Sequence, residues 1–215
     1  GWVVGDGSVI LRTTNGGATW TPQTSPSGGG FLYDVDFVDL NNGWAVGTSG
    51  RILNTSNGGA TWTLQYTVYQ HALLSVDFVD ANNGAASGTQ QTVCNTSNGG
   101  ATWTCRTSGL STLPNGDLYV DFADPSNGWV VNYGGRFSRT TNGGATWTPG
   151  STGSGAWLKG VHAVDANNVW AAGNGGAILR SSNGGASWTT QTTGVSADLK
   201  AIYFLDANTG WAAGS

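Results

Sequence analysis

The chain has 215 residues, enough for one sizeable core, yet only 9% are charged and 36 are glycine. All 12 acidic residues are Asp; Glu and Met are absent, so helix formers are scarce and a turn-rich all-β chain is expected. The net charge of −4 comes without a basic stripe, which excludes a nucleic-acid partner, and no apolar run reaches the length of a direct membrane span.

In chain order, the first predicted element is the short strand Gly1-Trp2-Val3-Val4-Gly5, followed by a hairpin turning at Asn15-Gly16-Gly17 and ending at Trp20. The next stretch shows a full unit. Residues 32–38 alternate as a half-buried strand, 39–43 make a turn, and 44–47 form a second strand. A loop at 48–50 leads to a third strand at 51–54. The Asn57-Gly58-Gly59 turn then delivers a fourth strand at 61–63. Asn-Gly is a strong hairpin signal because both residues accept positive φ. The unit recurs with turns at Asn98, Asn142 and Asn183, and the chain reaches Gly210-Trp211-Ala212-Ala213-Gly214, the same element as residues 1–5.

The hairpin tryptophans Trp20, Trp62, Trp103, Trp147 and Trp188 are spaced by 41–44 residues. Trp2, Trp44, Trp129, Trp170 and Trp211 keep the same clock, with Ala85 in the third slot, and Trp157 alone is off the pattern. A period near 42 with several short strands per unit indicates an all-β fold: a β-propeller of four-stranded antiparallel blades. The chain is read as one domain, 1–215, with units at 1–42, 43–83, 84–127, 128–168 and 169–209, and 210–215 starting a further unit. The duplicated terminal element leaves two alternatives, a five-bladed domain or a segment of a larger propeller. A spare strand edge would pair with a further copy of the chain. Because the first residue is Gly1 rather than Met and no signal peptide is visible, the chain reads as a mature or trimmed product.

Most recurrent residues have structural duties. The hairpin tryptophans are expected to pack between blades, and Asn15, Asn57, Asn98, Asn142 and Asn183 to bond the local backbone of their turns. Asp39, Asp80, Asp124, Asp165 and Asp206 are expected to cap the other turn. Arg12, Arg139 and Arg180 share one slot and Arg51 and Arg136 another, all read as surface strand positions. Asn54 and Asn95 begin glycosylation sequons, but both fall in repeated strand slots. Cys94 and Cys105 flank one hairpin at similar distances from its turn, which favours a cross-strand disulfide and an oxidising compartment over two reduced thiols.

The hairpin Thr/Ser-x-Asn-Gly-Gly-Ala-Thr/Ser-Trp resembles the Asp box, or bacterial neuraminidase repeat, with Asn in place of Asp in each copy. The wider unit, Val-Asp-Phe-Val-Asp-x-Asn-Asn-Gly-Trp-Ala-Val-Gly through Asn-Gly-Gly-Ala-Thr-Trp, is similar to the photosystem II stability/assembly factor-like propellers. That resemblance covers the whole chain and implies fold more than function. Asp-box units also occur in sialidases and glycoside hydrolases.

The variable loops at 23–31, 65–72, 106–117, 149–157 and 190–198 share the face opposite the Asn-Gly-Gly turns, where a site is expected. Tyr66, Tyr69, His71, Tyr133, Arg136, Trp157 and Lys159 are the candidate ligand-binding residues there, because exposed aromatics beside polar donors suit a protein or glycan partner. A sialidase-like site would need a Glu to activate its Tyr, and the chain has none. A two-carboxylate glycosidase would have to draw on Asp6, Asp34, Asp117 or Asp198, and nothing fixes a pair. Two isolated histidines offer no metal site, and no cofactor is implied. The expected function is a non-catalytic interaction or structural assembly module, secreted, periplasmic or at the cell surface. A carbohydrate-binding propeller is the alternative and a glycoside hydrolase the less favoured one.

Overall fold

The computed structural model describes residues 1–26, 29–67, 71–110 and 116–215. Every strand pairing is antiparallel between chain neighbours. The first sheet holds β1 (Trp2–Val4), β2 (Ile10–Arg12) and β3 (Thr21–Gln23). Four complete blades follow. They are β4 (Leu32–Phe37), β5 (Gly43–Gly47), β6 (Arg51–Thr55), β7 (Thr63–Thr67); and β8 (Leu73–Phe78), β9 (Gly84–Gly88), β10 (Thr92–Thr96), β11 (Thr104–Thr107). The next two are β12 (Tyr119–Phe122), β13 (Gly128–Val131), β14 (Arg136–Thr140), β15 (Thr148–Ser151); and β16 (Leu158–Ala163), β17 (Val169–Gly173), β18 (Ile178–Ser181), β19 (Thr189–Gln191). A two-stranded sheet, β20 (Leu199–Phe204) with β21 (Gly210–Gly214), comes last. Numbering these sheets as blades one to six, neighbouring blades touch along β4, β8, β12, β16 and β20, so the first strand of each blade lines the central axis. β1 pairs with β2 and β21 with β20, and no ladder among the described residues joins the two ends.

Three of the seams between blades are built from one repeated stack. The second-strand Trp of one blade lies flat on the Phe that ends the first strand of the next: Trp2 on Phe37 and Trp44 on Phe78 at 3.5 Å, Trp170 on Phe204 at 4.0 Å. The hairpin Trp then meets the same Phe edge-on, as Trp62 meets Phe37 and Trp103 meets Phe78, both at 5.8 Å. The edge-on contacts are those the ring quadrupole favours, while the face-to-face stacks gain through buried apolar area. The glycine preceding the second-strand Trp makes room for this. A Cβ on Gly43 would sit 2.4 Å from the Phe37 ring, and Gly84, Gly128 and Gly210 are pressed the same way. The indole N–H is satisfied across the seam, donating to the turn carbonyl of the next blade: Trp2 to Gly58 and Trp44 to Gly99 at 3.2 Å, Trp129 to Gly184 at 3.3 Å.

Two arginine slots depart from the surface role expected of them. Arg12, Arg139 and Arg180 are half-buried and place their guanidinium groups 5.2–5.4 Å from the ring centres of Trp2, Trp129 and Trp170, capping the stack by cation–π attraction. Arg51 is 7% exposed. Its guanidinium donates to the Ser8 hydroxyl and the Gly29 and Pro26 carbonyls, tying blade two to the preceding loop. Alternation placed these residues on the outer face of a strand, but the neighbouring blade covers that face. Arg136 alone among these arginines is exposed.

The turn expectations hold. Thr55 Oγ1 accepts from the Gly59 N–H, and Asn57 Oδ1 accepts from the Thr61 N–H, with Gly58 and Gly59 at φ +67° and +88°. The same bonds form around Asn15, Asn98, Asn142 and Asn183. Asp39 Oδ1 accepts from the Asn41 and Asn42 N–H groups, and the other recurrent turn acids repeat it. Asn54 spends its amide N–H bonds on the Gly43 and Thr55 carbonyls, so its sequon is structurally engaged.

Cys94 and Cys105 face each other across β10 and β11 and are disulfide-bonded. With a sequence separation of 11, loop-closure entropy gives the bond about 3 kcal/mol at most. Reduction with a phosphine reductant is therefore expected to lower the urea midpoint without abolishing the fold, read by denaturation of reduced against oxidised protein. An unchanged midpoint would show that the hairpin's own hydrogen bonds already hold this register.

Candidate functional site

The face carrying the turns between second and third strands also carries the connections between blades. On it Trp157, one residue before β16, has its backbone N–H fixed 2.6 Å from Asn174 Oδ1. Its ring meets Tyr133 at 4.5 Å in an edge-on pair and stays 51% exposed. An indole this exposed and yet packed edge-on against a second ring is unusual for a side chain with no structural duty. Phe31 and Tyr33, at the corresponding corner of blade two, stack at 6.1 Å and are each about half exposed.

Lys159 projects from β16 and donates to Asp198 Oδ2 at 2.9 Å, while Asp198 Oδ1 accepts from the Gly175 N–H at 3.1 Å. The Lys159 bond and that N–H hold the Asp198 carboxyl below its ordinary range. Lys159 and Lys200 then border an axial cavity of about 400 Å³ whose wall includes Tyr33, Asp34, Asp77, Tyr119 and Asp121. The wall of this cavity thus combines aromatic, cationic and carboxylate side chains.

Of the candidate residues, the fold brings Tyr133 and Trp157 together, while Lys159, two residues further along the chain, is bonded to Asp198. Arg136 starts β14 directly after the Tyr133 turn, exposed and opposite Ser151. His71 sits on blade three with Nδ1 2.8 Å from Thr92 Oγ1, held by its own blade rather than by this cluster. Tyr66, in β7, pairs through its backbone with Ile52 of β6, and Tyr69 lies outside the described residues.

Of the deeper carboxylates only Asp34 was among the acids singled out by the sequence. Asp36, Asp77 and Asp121 occupy one repeat slot, and each reaches across a seam to the next blade's first strand. Asp36 accepts from the Phe78 N–H at 2.8 Å, Asp77 from Phe122 at 2.7 Å and Asp121 from Ala163 at 2.7 Å. Asp34 does the same with Val76 at 3.0 Å. In blade five the slot holds His162, with Nδ1 3.3 Å from Asp121 and Nε2 2.9 Å from the Phe204 carbonyl. Burial pushes Asp34 and Asp36 up to about 6 against the lowering pull of those N–H bonds. Burial and then the charges of Asp121 and Asp36 raise Asp77 well above its ordinary value. Burial lowers His162, but the hydrogen bond and charge of Asp121 with the Phe204 carbonyl outweigh it, and the imidazole is raised. The available signal was an acid recurring within first strands at 36, 77 and 121. It was absorbed into the strand alternation.

Antiparallel blades around an axis, five of the six sheets carrying an Asn-Gly-Gly turn, make this chain a BNR-repeat β-propeller. Residues 63–148 match the family described as Photosynthesis system II assembly factor YCF48. Among solved structures, YCF48 bound to D1 peptide is 20% identical with a TM-score of 0.75, covering 99% of this chain and 70% of that one. YCF48 from Cyanidioschyzon merolae is 25% identical with a TM-score of 0.74, covering 100% of this chain and 76% of that one. An ancestral GH74 enzyme is 18% identical with a TM-score of 0.71, covering 89% of this chain but 29% of the enzyme, a likeness of fold alone. No curated protein matches the chain by sequence.

Proposed function

We propose that the chain is a non-catalytic protein-binding module that holds an extended peptide segment of a partner across the axial opening. The observation that carries this is the exposed Tyr133–Trp157 ring pair on the face that carries the blade connections, with Lys159, two residues after Trp157, in the wall of a cavity of about 400 Å³. Rigid aromatics next to a cation supply contact area at low entropic cost and a partner for a carboxylate. The similarity to YCF48, one structure of which holds a D1 peptide, supports the reading. The acids argue against hydrolysis: Asp34, Asp36, Asp77 and Asp121 all accept backbone N–H bonds across seams, a structural employment. A carbohydrate ligand on the same aromatics is the second reading. The disulfide supports an oxidising compartment, hence an extracellular, periplasmic or cell-surface location.

Selection of a displayed random-peptide library on the wild-type protein, with the D1 peptide as a separate arm, tests this. Binders are expected to lose about 10- to 100-fold in affinity on Trp157→Ala, the range of an aromatic hot spot. A library that yields no binder, or binders indifferent to Trp157, would remove the proposal, and a glycan-array hit lost in the same variant would replace it with the carbohydrate reading.

A further inference from the structure

One seam lacks its indole. At the boundary of blades three and four the second-strand slot holds Ala85, where Trp2, Trp44, Trp129 and Trp170 stand elsewhere. The groups that receive the indole are still present. Phe122 ends the first strand of blade four, in the position of Phe37 and Phe78, and keeps its edge-on hairpin partner Trp147 at 6.0 Å. The Gly143 carbonyl stands where Gly58, Gly99 and Gly184 accept an indole N–H. With a methyl at position 85, no indole reaches it. Beside this seam lies a cavity of about 470 Å³ whose wall includes Phe122, Gly143, Asn95 and Arg106, within the size range of small-ligand sites.

Asn95 is the second, independent observation. It is the cross-strand partner of Ala85, only 9% exposed, and neither its Nδ2 nor its Oδ1 has a hydrogen-bond partner. At the same slot Arg12, Arg139 and Arg180 cover a Trp ring, and Asn54 bonds two carbonyls. A buried amide with both ends unmet is uncommon and costly, and it lines this cavity.

We propose that this seam is a binding site for an indole-class ring, a planar aromatic bearing an N–H donor. The ring stacks on Phe122, its N–H donates to the Gly143 carbonyl, and the Asn95 amide takes up the ring's polar edge or a substituent on it. The cavity lies among the turns at 124–127 and 142–145, away from the Trp157 opening, so it stands independently of the peptide reading. Two sources present the same chemistry: a free indole-type small molecule and the Trp side chain of a partner.

Fluorine NMR of 5-fluoroindole titrated with the full chain tests the site. Saturable binding at about millimolar or tighter is expected, weakened more than about 10-fold by Ala85→Trp, which fills the slot from within, and unchanged by Trp157→Ala. Ala85→Leu fills the slot in part and weakens binding to a smaller degree, which keeps the test informative if the Trp variant does not fold. Displacement by a five-residue glycine peptide with a central Trp assigns the source to side chains. Retained 5-fluoroindole in that competition assigns it to free indoles. Absence of saturable binding up to about 10 mM, or binding that survives Ala85→Trp in a folded variant, overturns the proposal.

Discussion

Trp44→Ala is expected to cost about 3–5 kcal/mol of unfolding free energy, the range for emptying a buried large aromatic. Trp44 is 1% exposed, stacks on Phe78 at 3.5 Å and donates to the Gly99 carbonyl at 3.2 Å. Removing it therefore takes away apolar burial, a ring stack and the bond across the seam together. The neighbouring blades cannot collapse into the space, because their first strands are pinned to one another by the Asp34 and Asp36 bonds. Trp20→Ala is the internal control. That hairpin Trp is 41% exposed, and its loss is expected to cost about 1 kcal/mol. Urea denaturation of the two variants beside the wild type measures both. Equal losses would mean that the seam stack contributes no more than a surface indole and that the account of the repeat given above is wrong.

Stability is expected to be greater at pH 4.5 than at pH 8, the reverse of what an acidic protein ordinarily shows. Asp34 and Asp36 are raised from 3.8 to about 6 by burial. A group that binds its proton more tightly when folded stabilises fully below its unfolded value, here 3.8, and that contribution disappears as the pH rises through about 6. At 1.36 kcal/mol per pH unit, and discounted for partial exposure to the channel, each contributes on the order of 2 kcal/mol. Asp77 and His162, also raised, act in the same direction, the histidine above pH 6.5. Lys159 and Lys200 border the same channel. The turn acids oppose this at lower pH. Asp39, Asp80, Asp124, Asp165 and Asp206 are lowered, with the Asn-turn hydrogen bonds pulling against burial where there is any, so their contribution is lost as the pH falls below 3.8. The maximum then falls between about pH 4 and 5. Denaturant midpoints from pH 3 to 9 trace the curve, and Asp34→Asn with Asp36→Asn should flatten its alkaline limb. A curve that climbs steadily from pH 4.5 to 8 would contradict the channel electrostatics.

The repeat was legible because it is written in residues whose chemistry is local. Asn57-Gly58-Gly59 needs only its own backbone and the Thr55 and Thr61 hydroxyls to close, so the sequence announces the turn without knowing what lies beside it. Cys94 and Cys105 were readable for the same reason, being symmetric about one such turn. The candidate site was legible in part. Trp157 stood out as the tryptophan with no repeat slot, and the fold places it against Tyr133. His71 shares the aromatic loop in sequence but is bonded to Thr92 on its own blade, a separation that loop membership does not encode.

What the sequence by itself determined is the blade: the strand order, the turns, the period and the residues that cap them, all set by contacts within about 40 residues. The tertiary structure decided everything that crosses a seam. Arg51 looked like a surface residue until the preceding loop covered it, and Asp36 like an ordinary strand residue until Phe78 from the next blade donated to it. Ala85 read as a lapse in the tryptophan pattern until its seam proved to keep Phe122 and an unpartnered Asn95. A seam joins residues more than 40 positions apart, and whether a polar group there is solvated, paired or left unmet depends on the distance to the next blade, which no periodicity within one blade records.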